Sequence, residues 1–170
     1  YGLHLVGLAP NMTLYDAVAH AFTSVSTSGF SPRAESIGAF SPAVQWAMIP
    51  FMVMGATSFV LIYHVLGGDW RRPLRSEEFR FYLFVLGTLG AIGAALVCLD
   101  PATTCGPVAT GRHGLFQVVA SVTTTGYATV DFDLWSPAAK HLRFVGMFRG
   151  GMAGSTTCSI KLVRWLVVLK

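Results

Sequence analysis

Formal charge is scarce in this sequence. Asp, Glu, Lys and Arg make up 12% of its 170 residues, about half of the ~25% common in soluble domains. With a hydrophobic share of 53% and a mean hydropathy of +0.57, this excludes an ordinary soluble domain and points to the membrane. Cysteine is scarce too. Cys98, Cys105 and Cys158 show no CxxC or Cys/His ligand spacing, which argues against a metal centre. Cys98 and Cys105 flank a polar loop and can pair in an oxidising compartment or remain thiols. The net charge of +4 is clustered rather than spread, so it reads as a topology signal and no nucleic-acid partner is expected. Initiator methionine and signal peptide are both lacking, and the chain ends on a helical pattern, so we expect a piece of a longer polypeptide.

What the sequence does have is a repeated hydroxyl-rich run ending in glycine and an aromatic. Ser24-Val25-Ser26-Thr27-Ser28-Gly29-Phe30 returns as Ser121-Val122-Thr123-Thr124-Thr125-Gly126-Tyr127. Glycine permits the backbone angles of a sharp turn. In a membrane protein, backbone outside a helix must line a water-filled path or be buried in protein. Carbonyls on such a path can replace the hydration shell of a potassium ion. A single run would read more readily as a helix end with a glycine cap. Two copies with similar flanks favour the path.

The flanks organise the rest. Gly2 to Leu8 reads as the tail of a helix. Thr13 and Asp16 form a capping box for a helix from about Leu14 to Ser26, too short for the ~20 apolar residues of a span. Such a helix, ending in the first run, has the pattern of a re-entrant pore helix. Phe30 to Phe40 is a polar connection. Ser41-Pro42 opens a helix through Leu66 that is long enough to cross a bilayer, with a kink or close packing expected at Pro50 or Gly55-Ala56-Thr57-Ser58. Arg71, Arg72, Arg75 and Arg80 form a basic linker, cytoplasmic by the positive-inside rule. Phe81 to Leu99 is the next span, with Gly87, Gly90 and Gly93 spaced for helix contact. A polar loop from Asp100 to Gly114 precedes a second short helix, Leu115 to Thr123, and the second run. Ser136-Pro137 repeats the Ser41-Pro42 start, and this helix reaches about Phe148. Gly150, Gly151 and Gly154 then break it, and helix resumes near Ser159. The repeat is about 95 to 98 residues long. The fold class expected is an all-α membrane protein built of repeated helix–pore helix–filter loop–helix units.

Several stretches resemble a known family: Leu14-Tyr15-Asp16-Ala17-Val18-Ala19-His20-Ala21-Phe22, Thr27-Ser28-Gly29-Phe30-Ser31, Glu77-Glu78-Phe79-Arg80, Thr123-Thr124-Thr125-Gly126-Tyr127-Ala128-Thr129, Asp131-Phe132-Asp133-Leu134-Trp135 and Gly154-Ser155-Thr156 before Ile160-Lys161. The chain is similar to Trk/Ktr/HKT-type potassium transporter pore subunits, nearest the TrkH branch. The resemblance implies that 1–66 is the second span–pore–span repeat with its first helix truncated. It makes 67–80 a cytoplasmic basic linker and 81–170 a truncated third repeat with a broken final helix. It implies filter positions at Thr27, Ser28, Gly29 and Phe30 and at Thr124, Thr125, Gly126 and Tyr127, with backbone carbonyls as ligands for potassium or sodium and no covalent cofactor. It implies an intramembrane gate loop at Gly150, Gly151, Gly154, Ser155, Thr156 and Thr157. The partners implied are the missing repeats of the same polypeptide, a second copy in a homodimer, the bilayer of the cytoplasmic membrane, and a cytoplasmic ring of NAD- or ATP-binding regulatory subunits. Cys158 and Ser159 depart from the family's glycines.

Other residues leave alternatives open. Arg149, where an apolar residue is expected, either faces an aqueous path or lies near an interface. His20 and His113 serve a proton relay or a packing and hydrogen-bonding role. Asp131 and Asp133 either concentrate cations at a mouth or belong to a solvated loop. The rival functions are an intramembrane serine hydrolase using Ser155, which lacks a sequence-near His/Asp partner, and a non-conducting membrane scaffold.

Overall fold

A computed structural model describes residues 1–98, 106–131 and 135–169. Among these, helices carry the fold and no strand forms, apart from one isolated bridge between Arg149 and Ile160. The helices are α1 (Gly2–Leu5), α2 (Leu14–Val25), α3 (Pro42–Gly55), α4 (Phe59–Leu66), α5 (Arg71–Arg75), α6 (Glu77–Cys98), α7 (Pro107–Val122), α8 (Pro137–Met147) and α9 (Leu162–Leu169).

Local chemistry sets most of the starts. The Thr13 hydroxyl accepts from Asp16 N at 3.1 Å, and the Asp16 carboxylate accepts from Thr13 N at 3.1 Å, which closes the expected capping box of α2. Pro42, Pro107 and Pro137 each open a helix, where a missing N–H is harmless. α6 is the one described helix long and apolar enough by itself to cross a membrane. It lies along α7, and glycines bring the two together. A Cβ on Gly93 would fall 2.3 Å from a Val118 methyl, and one on Gly114 would fall 2.9 Å from Ala94 Cα. Gly90 meets Leu115 in the same seam, whereas Gly87 faces open space. Two of the three glycines in the expected stripe therefore make the contact. The core runs from Val44, Met48 and Met52 of α3 through Phe116, Val119 and Ala120 of α7 to Tyr82, Val85 and Leu89 of α6.

Three expectations change. Pro42 to Leu66 is not one continuous helix. It is α3 and α4, bent by 107° at Ala56–Ser58, while Pro50 stays within helix. The break occurs because residues 151–156 take up its backbone groups: Met152 N donates to Ala56 O (3.0 Å) and Phe59 N to Gly154 O (3.1 Å). The second short helix starts at Pro107, not Leu115, because its glycines fit against α6. Helix resumes at Leu162, not Ser159, because the preceding residues are held as a loop.

Candidate ion-conduction site

α2 and α7 both stop in the same unusual backbone. Thr27 (φ 50°) and Gly29 (φ 67°) are left-handed, and so are Thr124 (φ 53°) and Gly126 (φ 82°), with Ser28 and Thr125 between them not so. Left-handed angles are costly for a β-branched residue, so two threonines in that region mark a constrained turn. The two turns also touch. A Cβ on Gly29 would stand 1.8 Å from Thr125 O, so only glycine admits the neighbouring carbonyl. Beyond the turns the chains stay paired: Gly38 N donates to Ala128 O at 3.1 Å, and Ala128 N to the Ser36 hydroxyl at 3.3 Å.

The side chains differ between the copies. Tyr127 is fully buried, and its hydroxyl lies 2.5 Å from Thr23 Oγ1 and 3.1 Å from Ser24 Oγ, both on α2. Phe30 is 76% exposed. Thr27 and Thr125 are buried, Thr124 is half-buried, and Ser28 is exposed. The hydroxyls of Thr123 and Thr125 pair at 2.9 Å.

Below the turns lies the glycine-rich loop. It is closed at its neck by Gly150 N to Ile160 O (3.0 Å) and Leu162 N to Gly151 O (3.2 Å). Inside it, Gly151 N donates to Thr157 Oγ1 at 3.0 Å and Ser155 Oγ to Met152 O at 2.6 Å. Gly151 must be glycine, since a Cβ would lie 2.3 Å from Ala56 O, and Gly154 is left-handed at φ 75°. The loop reaches both turns: Thr27 Oγ1 donates to Thr156 Oγ1 (3.2 Å), and Cys158 N donates to Thr124 Oγ1 (3.2 Å). A cavity of about 260 Å³ separates turn and loop, lined by Ser121, Thr124, Gly126, Arg143, Cys158 and Ser159 among others. Its lining is mostly apolar, with the hydroxyl residues Ser121, Thr124 and Ser159 part of it, and it is large enough for water. A second cavity, of about 420 Å³, lies beyond the turns and includes Glu35, Ser36, Thr129 and Asp131 in its lining.

Sequence reasoning missed the groups that hold these parts. The Lys161 ammonium donates to Ser155 O (3.2 Å), to Thr157 O and to Thr157 Oγ1 (3.1 Å), replacing water on carbonyls freed from helix. Ala153 N donates to the Glu78 carboxylate at 2.6 Å. Arg143 Nε donates to Ser121 Oγ at 3.0 Å. Glu78 stands in one of the recognised motifs, but nothing local there signals a partner 75 residues away. Arg149 is half-buried with its guanidinium carbon 5.9 Å from the Trp165 ring centre, a cation–π pair. His113 meets Thr129 Oγ1 at 3.0 Å, and His20 is enclosed by hydrogen-bond partners. Among the described residues, no histidine is bonded to Ser155, whose hydroxyl serves Met152 O and Thr157, so a hydrolase nucleophile has no base there. Asp16 is ion-paired to Arg33 at 2.7 Å. The Arg33 guanidinium, aided by the Thr13 bonds and opposed by burial, holds the Asp16 carboxyl at about 2. Cys105, the partner of Cys98 in the pairing alternative, and Asp133 lie outside the described residues.

Short helices that run into glycine-pivoted loops, which abut one another beside a cavity, define a membrane protein with re-entrant pore loops. A family profile described as TrkH, cation transport protein, matches residues 6–89 and 107–170, and the chain belongs to that family, one of transporters rather than enzymes. It is 35% identical over 172 residues to the Trk system potassium uptake protein TrkH of Halomonas elongata, covering 98% of this chain and 34% of that protein. It is 32% identical to the Escherichia coli K12 protein of the same name, covering 94% and 33% respectively. The crystal structure of the potassium transporter TrkH from Vibrio parahaemolyticus matches with a TM-score of 0.87 at 29% identity, over 94% of this chain and 35% of that one. The chain thus spans about a third of the length of the relatives it matches.

Proposed function

We propose that this chain is part of the pore of a potassium uptake system in the cytoplasmic membrane. Residues 1–66 and 81–170 act as the second and third repeats around one path, joined by the cytoplasmic linker 67–80. Potassium sheds water at the carbonyls of 27–30 and 124–127, and sodium is admitted if the hydroxyl-rich cage tolerates it. The loop of Gly150, Gly151, Gly154, Ser155, Thr156 and Thr157 closes the path below. The remaining repeats of a longer polypeptide complete the ring, two copies form a dimer, and an NAD- or ATP-binding ring on the cytoplasmic side moves the gate.

The observation that carries this reading is the abutment of two identical left-handed turns, with Gly29 seated on the Thr125 carbonyl. Support comes from the relatives, which are named as potassium uptake proteins. The test is Gly126→Leu in the full-length polypeptide, expressed in cells lacking potassium uptake. Loss of growth at low potassium, with the protein still in the membrane, is expected. Unchanged uptake overturns the proposal.

A further inference from the structure

His20 is 2% exposed and sits between the two turns. Its Nδ1 lies 2.6 Å from Asp16 O, a carbonyl that can only accept, so Nδ1 carries the proton. Its Nε2 lies 3.0 Å from the hydroxyl of Ser31, one residue past the first turn. Its ring meets the Tyr127 ring at 5.8 Å and the Phe40 ring edge-on at 5.3 Å. Its carbonyl accepts from the Tyr127 hydroxyl at 3.3 Å and from Ser24 Oγ at 2.5 Å. One residue therefore touches the outer end of the first turn and the last residue of the second.

The His20–Ser31 pair is not repeated at the equivalent positions. At the spacing that relates Gly29 to Gly126, His20 corresponds to Gln117 and Ser31 to Ala128. Gln117 is fully buried, and neither its amide nitrogen nor its oxygen has a partner among the described residues. An alanine offers no hydroxyl to receive it. At these positions the bond thus exists in the first copy alone, where it is joined to the second turn through Tyr127; in the second copy a different α7 residue, His113, reaches the post-turn Thr129 hydroxyl at 3.0 Å.

We propose that His20 is a positioning residue for ion selectivity. It acts through Ser31 and Tyr127, fixing the outer ends of both turns at the separation that lets their carbonyls distinguish potassium from the smaller sodium ion. This rests on the transport reading above. A carbonyl cage discriminates by its size and by how many dipoles face the ion, so loosening its rim lowers discrimination before it abolishes flux. A glutamine reaches about as far as Nε2 and carries both a donor and an acceptor, so it can keep the Ser31 bond. Leucine fills the space and keeps no bond.

The experiment measures potassium and sodium uptake by the full-length polypeptide in liposomes. His20→Leu is expected to lower the potassium-to-sodium ratio about tenfold, the scale set by losing a buried hydrogen bond. His20→Gln is expected to stay within about threefold of wild type, the smaller change for a site that keeps its partner. Ser31→Ala should move the ratio in the same direction as His20→Leu, and the double variant should be no worse than His20→Leu alone, as for residues acting in one chain of contacts. A His20→Leu protein that conducts with wild-type selectivity overturns the proposal, as does additive loss in the double variant. If His20→Leu is not recovered from the membrane, Ser31→Ala decides: an unchanged ratio overturns it. Absence of potassium uptake by the wild-type polypeptide would instead sink the transport reading itself.

Discussion

Substituting Gly29 with alanine isolates the contact between the turns. The new methyl would be built 1.8 Å from Thr125 O and 2.9 Å from its carbon. Reaching even 3.0 Å, the closest separation real side chains tolerate, requires a shift of roughly 1.2 Å. Both sides of the contact are backbone, so no flexible side chain can give way. The left-handed angle of 67° adds about 1–2 kcal/mol for a residue with a Cβ. A misplacement of about 1 Å in a positioned group costs on the order of 100-fold in positioned chemistry, or about 2.7 kcal/mol. Potassium uptake by full-length Gly29→Ala should fall by that order, with sodium discrimination reduced in whatever flux remains.

Two controls separate the causes. Gly68 is left-handed at φ 95° with nothing within 4 Å of its Cβ position, so Gly68→Ala tests backbone strain without collision. Gly87 has neither strain nor neighbour within 4 Å, and alanine there should stabilise the α6 helix by about 1 kcal/mol. Uptake should be near wild type in both, measured as initial rates of rubidium or potassium entry normalised to protein in the membrane. Wild-type rates in Gly29→Ala would refute the reasoning. So would an equal loss in Gly68→Ala, which would make strain anywhere sufficient.

Further outcomes follow from the loop and the outer surface. Gly151→Ala drives a methyl to 2.3 Å from Ala56 O and breaks the Met152 N–Ala56 O bond; it should free the loop, seen as potassium leak from loaded liposomes without regulator. Glu78→Ala leaves Ala153 N without its 2.6 Å acceptor; a charged bond of this kind is worth about 1.5–3 kcal/mol, so leak should rise and the thermal midpoint should fall. Glu78→Gln, which keeps an oxygen, should lie between. Asp16 titrates at about 2 rather than its ordinary 3.8 because Arg33 stands beside it. Its contribution to stability is therefore fully present above pH 4 and is lost as pH falls from about 4 toward 2. Arg33→Ala should raise the carboxyl's pKa, narrow that window and leave the acid-unfolding curve flatter between those values; an unaltered curve would count against the pair.

Local chemistry made part of this molecule readable. The α2 cap, the proline starts of α3 and α8 and the two glycine turns each follow from residues within a few positions of one another. Position 55–58 was readable as a weak point, because glycine and two hydroxyl residues cannot hold a stiff helix. Its 107° bend was not, because the N–H groups that stabilise it come from Met152 and Thr156, about a hundred residues on. The start of α7 was hidden for the opposite reason. Its glycines and polar residues look like loop, and only the glycine seam with α6 makes them helix. The capture of Ala153 by Glu78, of loop carbonyls by Lys161 and of Tyr127 by α2 all join segments far apart in sequence, where periodicity carries no signal.

Those long-range bonds make turn and loop a single unit. Thr156 Oγ1 sits 3.2 Å from Thr27 Oγ1, 3.1 Å from Val25 O and 2.9 Å from Gly55 O, so it ties the first turn to the end of α3. Cys158 N ties the loop to Thr124 of the second turn. Met152, Phe59 and Ala153 add three further backbone bonds to the surroundings. At about 1 kcal/mol net for each of these seven bonds, withdrawing the loop costs roughly 7 kcal/mol, more than the ~5.5 kcal/mol that takes a two-state gate from 1:99 to 99:1. On the gating reading, a regulator must therefore bind the open form at least about ten thousand-fold more tightly than the closed one. Because the same bonds end on Thr27 and Thr124, a loop that leaves also releases the floor of both turns, and substitutions confined to residues 150–158 should change which ion passes as well as how fast.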